Sequence, residues 1–483
     1  MTGNLAQLLV TRAQERPDLQ VGTLDAPIPL SDLLSLAAQG ARRLAADGLT
    51  EEKRVAVVAG SSTDYLVVWA ACLLAGVPVA LINPSYPQAL LAQMLDHFEP
   101  DHVFTDHTDT GFVGRRGVSA MTDRPGGFAD GLVGCPGLDA DRFSIASYMH
   151  TSGTTGMPKF CAQSHEYFLR LGTTMSTALD LTREDRLLAP LPLFHVNPLG
   201  YGIIGALTAG ADALALRTFS ARSFWPDVRE HGITALSLHA PPVEILKRVT
   251  SAEDAEGHRV RTMFYADREF TSRFGIDRAV SGYGSTEAAG ISHLHVWRAD
   301  DDIAEDASRY GGAARTDIED RLDDSGQILV RERAPGTLFA GYLGPDGLDP
   351  ARDADGWFAT GDLGRRDGDG GLVFLERAAE SIRVKGEFVP IPFVEGRLST
   401  LTDLEDLALW KKPGELVDDD LVLYVVAASL PVEAIKRSVG ELPSFMRPAH
   451  IARVGRIPRD AAAGKVQRRL LPDERVLQWV TLD

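Results

Sequence analysis

The sequence Thr151-Ser152-Gly153-Thr154-Thr155-Gly156-Met157-Pro158-Lys159 follows an apolar run, Phe143 to Met149, that reads as a buried strand delivering the chain into a loop. Gly153 and Gly156 allow positive φ and a close approach of backbone to ligand. Four hydroxyls stand in the loop and one lysine at its exit. Oriented N–H dipoles, short O–H donors and a point charge are what an anionic polyphosphate requires. The same composition also makes a polar surface turn. Two other phosphate loops do not fit. The P-loop needs lysine directly after glycine, and here Met157-Pro158 intervenes; no Gly-x-Gly-x-x-Gly opens a helix after a strand.

At 483 residues the chain is long enough for two or three domains with substantial cores. Its hydrophobic and charged fractions, 44% and 24%, are those of an ordinary soluble globular protein. Lys and Arg number 49 against 67 Asp and Glu, a net charge of −18. Such a balance disfavours non-specific binding to nucleic acid or to an anionic membrane, so an anionic substrate must be met by local positive groups. Cys72, Cys135 and Cys161 are odd in number and widely spaced. They suggest neither a disulfide framework nor a zinc motif, and a reducing, cytoplasmic setting is expected. Met1 to Val10 has no basic n-region and reads as no secretory signal. Tyr65 to Ile82 carries no charge, but Gly76 and Pro78 interrupt it, so helix, turn and strand are expected rather than a membrane span.

The chain opens with an amphipathic helix and a strand-turn region, Val21 to Leu30. A helix from Ser31 to about Ala46 follows, with Ser31-Asp32 as its cap. Val55 to Ala59 reads as a strand, and alternation of strands and helices argues for a wound α/β sheet. Residues 106–140 read as a surface connection. Beyond the loop, Ser164 to Leu179 and Tyr201 to Ala209 read as helices, and Arg186 to Pro190, Ala213 to Leu216 and Ala235 to Leu238 as strands. From Ile328 short strands with glycine turns suggest a small β subdomain. Asp367-Gly368-Asp369-Gly370-Gly371 reads as a hairpin turn, since it lacks the closing glutamate of a calcium loop.

The loop at 151–159 resembles the phosphate loop of the adenylate-forming superfamily, which contains acyl- and aryl-CoA synthetases, peptide-synthetase adenylation domains and luciferases. Other elements of that family follow in order. Pro192-Leu193-Phe194-His195 is similar to the element that lines the acyl pocket, and no Asp follows His195 to bind an α-ammonium, which disfavours α-amino acids. Gly282-Tyr283-Gly284-Ser285-Thr286-Glu287 resembles the segment whose aromatic stacks on adenine, whose Thr contacts the α-phosphate and whose Glu holds Mg²⁺. A carboxylate at the start of a helix is a suitable hard oxygen ligand there. Trp357-Phe358-Ala359-Thr360-Gly361-Asp362 resembles the ribose-binding segment, and an acceptor-only carboxylate suits two sugar hydroxyls. Arg377 matches a ribose-contacting arginine. Gly464-Lys465 matches the catalytic-lysine loop.

The resemblance covers almost the whole chain. It implies a large domain, 1–376, of wound α/β subdomains plus a small β subdomain, then a small mobile α+β domain, 377–483, carrying Lys465. It implies ATP, Mg²⁺ and a thiol, most often CoA. The site set comprises Lys465, Thr286, Glu287 and His195 as catalytic residues. Thr151, Ser152, Gly153, Thr154, Thr155, Gly156, Lys159, Gly282, Tyr283, Gly284, Ser285, Asp362 and Arg377 serve the nucleotide, with Glu287 on the metal. Two departures stand out. Ala379 replaces the usual hinge Asp or Lys, and Met263-Phe264-Tyr265-Ala266-Asp267 replaces a small-residue turn. The latter, with Arg273-Phe274-Gly275-Ile276, resembles the carnitine- and crotonobetaine-CoA ligase branch. The implied reaction activates a carboxylic acid as an acyl-adenylate and passes it to CoA. Acceptors other than CoA (a carrier protein, an amine, or nitrite activated for diazotisation) and a non-catalytic nucleotide binder stay open as alternatives.

Overall fold

A computed structural model describes residues 3–114, 116–121, 135–151, 157–298, 300–301, 303–304, 307–377, 382–384, 387–414, 419–459 and 466–482, with only the backbone of Glu376, Arg377 and Phe388. The chain forms two compact units. The first comprises residues 1–84, 95–150 and 160–378, and the second 85–94, 151–159 and 379–483.

The hydrophobic segments become strands and helices for local reasons. Val55–Val58 and Val79–Ile82 are short apolar runs buried on both faces, as parallel strands covered by helices must be. Between them lies the helix Thr63–Ala75, started by the Ser62 side chain accepting from Tyr65 N–H and ended by Gly76 at φ +71. It is too short to span a bilayer. Among the described residues no helix is long and apolar enough to cross a membrane. The helix packs so closely on the Pro136–Asp139 turn that a Cβ on Gly137 would lie 1.8 Å from the Leu73 carbonyl oxygen.

One sheet has eight strands, in the order Gly347–Asp349, Gly341–Gly344, Lys159–Ser164, Ile145–Thr151, Val79–Ile82, Val55–Val58, His102–Thr105 and Gly117–Ala120. The last of these lies within the stretch expected to be a surface connection, where it pairs in parallel with His102–Thr105. A second sheet of thirteen strands has a parallel half, in which Gln20–Thr23, Asp212–Ala215, Arg186–Ala189, Ala235–Ser237, Thr262–Phe264 and Arg278–Tyr283 are neighbours. From His293–Arg298 onward its pairings are antiparallel, giving the small β portion anticipated after Ile328. The Asp367 loop is a hairpin turn whose carboxylate accepts from Asp369 and Gly371 N–H.

In the second unit four strands, Asp406–Pro413, Asp419–Val426, His450–Val454 and Val476–Thr481, form a mixed sheet. Helices Ile391–Leu398 and Val432–Gly440 contribute buried Val394, Leu398, Ile435 and Val439. The fold class is therefore α/β with an antiparallel β portion, followed by a small α+β domain. All three cysteines are buried and none is in a disulfide.

Three local expectations are corrected. Ser31 and Asp32 do not cap their helix, which begins at Leu30 after Pro29, because the proline's fixed φ already directs the chain inward. The segment around Tyr201 is a π-helix, Asn197–Ile204, that becomes α-helical only over Gly205–Ala209. Its glycines admit close neighbours: a Cβ on Gly200 would meet Leu171 at 2.6 Å and one on Gly202 would meet Ala189 at 2.5 Å. Glu287 lies in a turn rather than at the start of a helix. Ala289 at φ +63 and Gly290 at φ +70 swing the chain back into His293–Arg298 before a helix can form.

His165 begins the helix His165–Ala178 in the core, and its Nδ1 accepts from Leu5 N–H at 3.4 Å. Burial lowers its pKa from 6.5 to about 4, with Asp141 opposing. Between these values the unfolded chain binds the proton more readily, so the stabilisation is complete above 6.5 and is lost as pH falls toward 4. The gap corresponds to about 3 kcal/mol. A melting-temperature series from pH 7 to pH 4 should fall steeply for the wild type and less so for His165→Gln, which keeps an acceptor but no titration; parallel curves would exclude His165 as the cause.

Candidate active site

Ligand sites in wound sheets form at the carboxyl ends of parallel strands, and the candidate residues of the first unit gather there. Arg186–Ala189 leads through Pro190 to the turn holding Phe194 and His195, Ala235–Ser237 leads to His239, Thr262–Phe264 to Tyr265, and Arg278–Tyr283 to Gly284. The 192–195 turn is pinned by Leu193 N–H donating to Ser61 Oγ at 3.0 Å and by His195 N–H donating to the Pro192 carbonyl at 3.0 Å. The His195 ring packs on Phe194, with centroids 4.6 Å apart. His150, buried at the end of the strand before the loop, accepts Asn83 N–H at 3.2 Å through Nε2 and stacks on Phe194.

The turn from Gly284 to Gly290 is the most constrained part of the site. Gly284 is in contact with the returning chain, and a Cβ there would lie 2.2 Å from the Gly290 carbonyl oxygen and 2.6 Å from Ile291 Cα. Two tyrosines hold the turn from outside. Tyr167 Oη donates to the Thr286 carbonyl at 3.0 Å, and Tyr201 Oη donates to the Gly290 carbonyl at 2.7 Å. Burial pushes the Tyr167 phenol well above its ordinary pKa, so it stays a donor. Within the turn, Ser285 Oγ accepts Ala288 N–H at 3.1 Å. Glu287 anchors through its carbonyl, which accepts Phe339 N–H at 3.2 Å, and through Oε1, which accepts from Tyr342 Oη at 3.0 Å.

Tyr283, one residue upstream, donates through Oη to Asp362 Oδ2 at 2.8 Å, and its ring stacks near Phe374. Gly282 meets Ile291 so tightly that a Cβ there would sit 2.3 Å from Cδ1. Asp362, 3% exposed, lies on the strand Phe358–Arg366 directly opposite Arg377, whose backbone pairs with it. The structure thus brings Gly282, Tyr283, Gly284, Ser285, Thr286, Glu287, Asp362 and the backbone of Arg377 together. Thr151 ends one strand of the eight-stranded sheet and Lys159 begins its neighbour. Ser152, Gly153, Thr154, Thr155, Gly156 and Lys465 lie outside the described residues, as does Ala379.

Sequence reasoning missed Tyr167, Tyr201, Tyr342 and His150. The first three act through their hydroxyls on residues far away in the chain, and only His150, a polar residue directly after the apolar run that ends at Met149, carried a local signal. At the end of its strand, Tyr265 adopts φ +84, rare for a bulky residue, and stacks on His239 with centroids 5.6 Å apart. Burial pushes the Tyr265 phenol up to about 12 despite a hydrogen bond with Ser308. Phe264 meets Tyr201 edge to face at 4.9 Å. Among the described residues no group of three or more His, Cys, Asp or Glu is placed to hold a metal.

Comparison with known proteins gives the family and the fold. The crotonobetaine/carnitine–CoA ligase of Proteus mirabilis is 29% identical over 296 residues, which is 58% of this chain and 57% of that protein. The enzyme of the same name from Shigella dysenteriae is 28% identical over 419 residues, 83% of this chain and 79% of that one. In fold, the chain matches o-succinylbenzoate CoA synthetase from Bacillus subtilis bound to a product analogue, with a TM-score of 0.82 at 20% identity over 97% of this chain and 98% of that one. A family model described as AMP-binding enzyme matches residues 28–343, and the chain belongs to that family.

Proposed function

We propose that the protein is an AMP-forming acid–CoA ligase that activates a small carboxylic acid with ATP and passes the acyl group to CoA. The observation that carries this reading is the Tyr283–Asp362 hydrogen bond at the carboxyl edge of the parallel sheet. It joins an aromatic face suited to a purine and an acceptor suited to ribose hydroxyls. Family membership supplies the reaction class.

In this reading Tyr283 packs on adenine, Asp362 and Arg377 take the ribose, and Thr286 meets the α-phosphate. Thr151, Ser152, Gly153, Thr154, Thr155, Gly156 and Lys159 cradle the outer phosphates. His195 borders the acid, and Lys465, on the small domain at 377–483, neutralises the carboxylate and phosphate as they meet. Two anions must approach one another, so alignment and charge neutralisation are the protein's task. A carboxylate oxygen attacks the α-phosphorus and pyrophosphate leaves; a thiolate then attacks the acyl carbonyl and AMP leaves. Glu287 fits Mg²⁺ because a single carboxylate, without a multi-carboxylate cage among the described residues, suits an ion that takes its other ligands from phosphate and water. When bound, that ion offsets charge on the leaving pyrophosphate. The crowding of Phe264, Tyr265, His239 and Tyr201 supports a small acid.

Pyrophosphate release should appear with one or more members of a panel of small carboxylic acids without CoA. AMP release should become continuous when CoA is added. Absence of acid-dependent pyrophosphate release across the panel, nitrite included, would reject the reading, and turnover with nitrite alone would redirect it to a non-carboxylate substrate. Lys465→Ala should lower adenylation, measured by ATP–pyrophosphate exchange, by on the order of 3 kcal/mol, roughly a hundredfold. It should leave thioester formation from supplied acyl-adenylate much less affected, and equal loss in both would make Lys465 structural. Gly284→Ala must push the turn off Gly290 at about 1–3 kcal/mol. ATP affinity by calorimetry should then fall roughly tenfold or more, and unchanged affinity would show that the turn does not bind nucleotide.

A further inference from the structure

We infer that Tyr342 is a positioning residue for the metal-binding carboxylate of Glu287, limiting the orientations that its side chain can take. The inference rests on the reading of Glu287 given above.

Tyr342 Oη donates to Glu287 Oε1 at 3.0 Å across 55 positions of sequence. The phenol is delivered by a short strand, Gly341–Gly344, stitched to Lys159–Ser164 through the pairs Gly341↔Ala162 and Tyr342↔Cys161. Ala340 N–H donates to the Ala162 carbonyl at 2.8 Å, and Phe339 N–H donates to the Glu287 carbonyl at 3.2 Å. Phe339 and Tyr342 therefore hold Glu287, one by backbone and the other by side chain. The strand itself is fixed. Gly341 takes φ +155 where a Cβ would lie 2.5 Å from the Asp349 carbonyl oxygen, and the Tyr342 ring packs edge to face on fully buried Phe339 at 4.9 Å.

A glutamate in a turn has three side-chain torsions to settle before it can bind a cation, and each costs entropy. A neutral O–H donor on one oxygen removes that freedom without adding a competing charge. A lysine or arginine in the same place would neutralise the carboxylate and repel the ion. Outer-sphere hydrogen bonds of this kind commonly change metal affinity by about 10–100-fold. Tyr342 also ties the carboxylate to the strand beside Lys159–Ser164, so the metal ligand and the exit strand of the phosphate-loop segment share one rigid edge.

The test is Tyr342→Phe, which keeps the ring on Phe339 and removes only the hydroxyl, with thermal melting as a folding control. The Mn²⁺ dissociation constant in the presence of a non-hydrolysable ATP analogue, read by electron paramagnetic resonance, should rise about tenfold. The Mg²⁺ midpoint of pyrophosphate release should rise by a similar factor, with kcat at saturating Mg²⁺ little changed. In a Glu287→Gln background Tyr342→Phe should add nothing further. If Glu287→Gln shifts Mn²⁺ binding and Tyr342→Phe does not, the positioning role is overturned and the ligase reading stands. If neither variant shifts Mn²⁺ binding, Glu287 is not a metal ligand and both that assignment and this inference fall. An additive effect in the Glu287→Gln background would equally overturn it, because the hydroxyl would then act elsewhere.

Discussion

The close approach of the Gly284 backbone to the Gly290 carbonyl governs the nucleotide side of the site. The turn between them must reverse direction in a few residues while presenting Thr286 and Glu287, and it does so by using positive φ at Ala289 and Gly290. Such backbone has little intrinsic preference for this shape, so neighbours impose it. Tyr167 and Tyr201 hold two of its carbonyls from separate helical segments, and Tyr342 holds its carboxylate from a strand. The π-helical geometry of Asn197–Ile204, with glycines at 200 and 202, lets Tyr201 sit close enough to reach Gly290. The turn is thus the meeting point of both sheets: Tyr283 enters it from the thirteen-stranded sheet, and the restraint on Glu287 comes from the eight-stranded one.

A chain with a net charge of −18 that binds polyanions must rely on short-range donors. Charges separated by more than a Debye length, about 8–10 Å in physiological salt, contribute little. Hydroxyls and backbone amides act at hydrogen-bond distance, whatever the overall sign of the field. This explains why the loop beginning at Thr151 is rich in Ser and Thr and carries one lysine at its exit. It also explains why the restraint on Glu287 comes from a neutral phenol. Acidic surface elsewhere then costs the site little.

Much of the fold and of the proposed nucleotide site was legible in the sequence because nucleotide recognition uses contiguous residues. Gly282 to Glu287 and Trp357 to Asp362 each carry their own turn, and apolar runs such as Val55–Val58 and Val79–Ile82 announce a parallel sheet. The residues that stayed hidden work at a distance. Tyr342 reaches Glu287, and Tyr167 reaches Thr286, through side-chain bonds that no periodicity records. Local misreadings had local causes. Ser31-Asp32 has the composition of a cap, but Pro29 had already fixed the entry of the chain. The Tyr201 segment has helical composition, but the pitch of a helix bearing Gly200 and Gly202 is set by what it packs against. Glu287 looked like a first-turn acid because a turn and a helix start share the same residues, and the reversal is decided two residues later at Ala289.

The proposed acid side follows a different logic. Adenine, ribose and phosphate are fixed partners, so their recognition calls for a small set of groups, whereas the walls around a carboxylic acid need only match its shape. The strand ends there carry His150 before the loop, His239 after Ser237 and Tyr265 after Phe264. Tyr265 is the instructive case. A bulky residue at φ +84 costs of order 1–3 kcal/mol, and glycine would hold that backbone without strain. The tyrosine is retained against this cost by its stack on His239 and by its N–H bond to the Val280 carbonyl at 2.8 Å. His239 in turn is oriented by Ala240 N–H, which donates to its Nδ1 at 2.9 Å and so places the proton of the neutral ring on Nε2. A strained aromatic and an oriented imidazole, at adjacent strand ends, make a wall whose position is set by the sheet rather than by a loop. The space that a glycine would leave open at these strand ends is filled by a ring that the parallel strands hold in place.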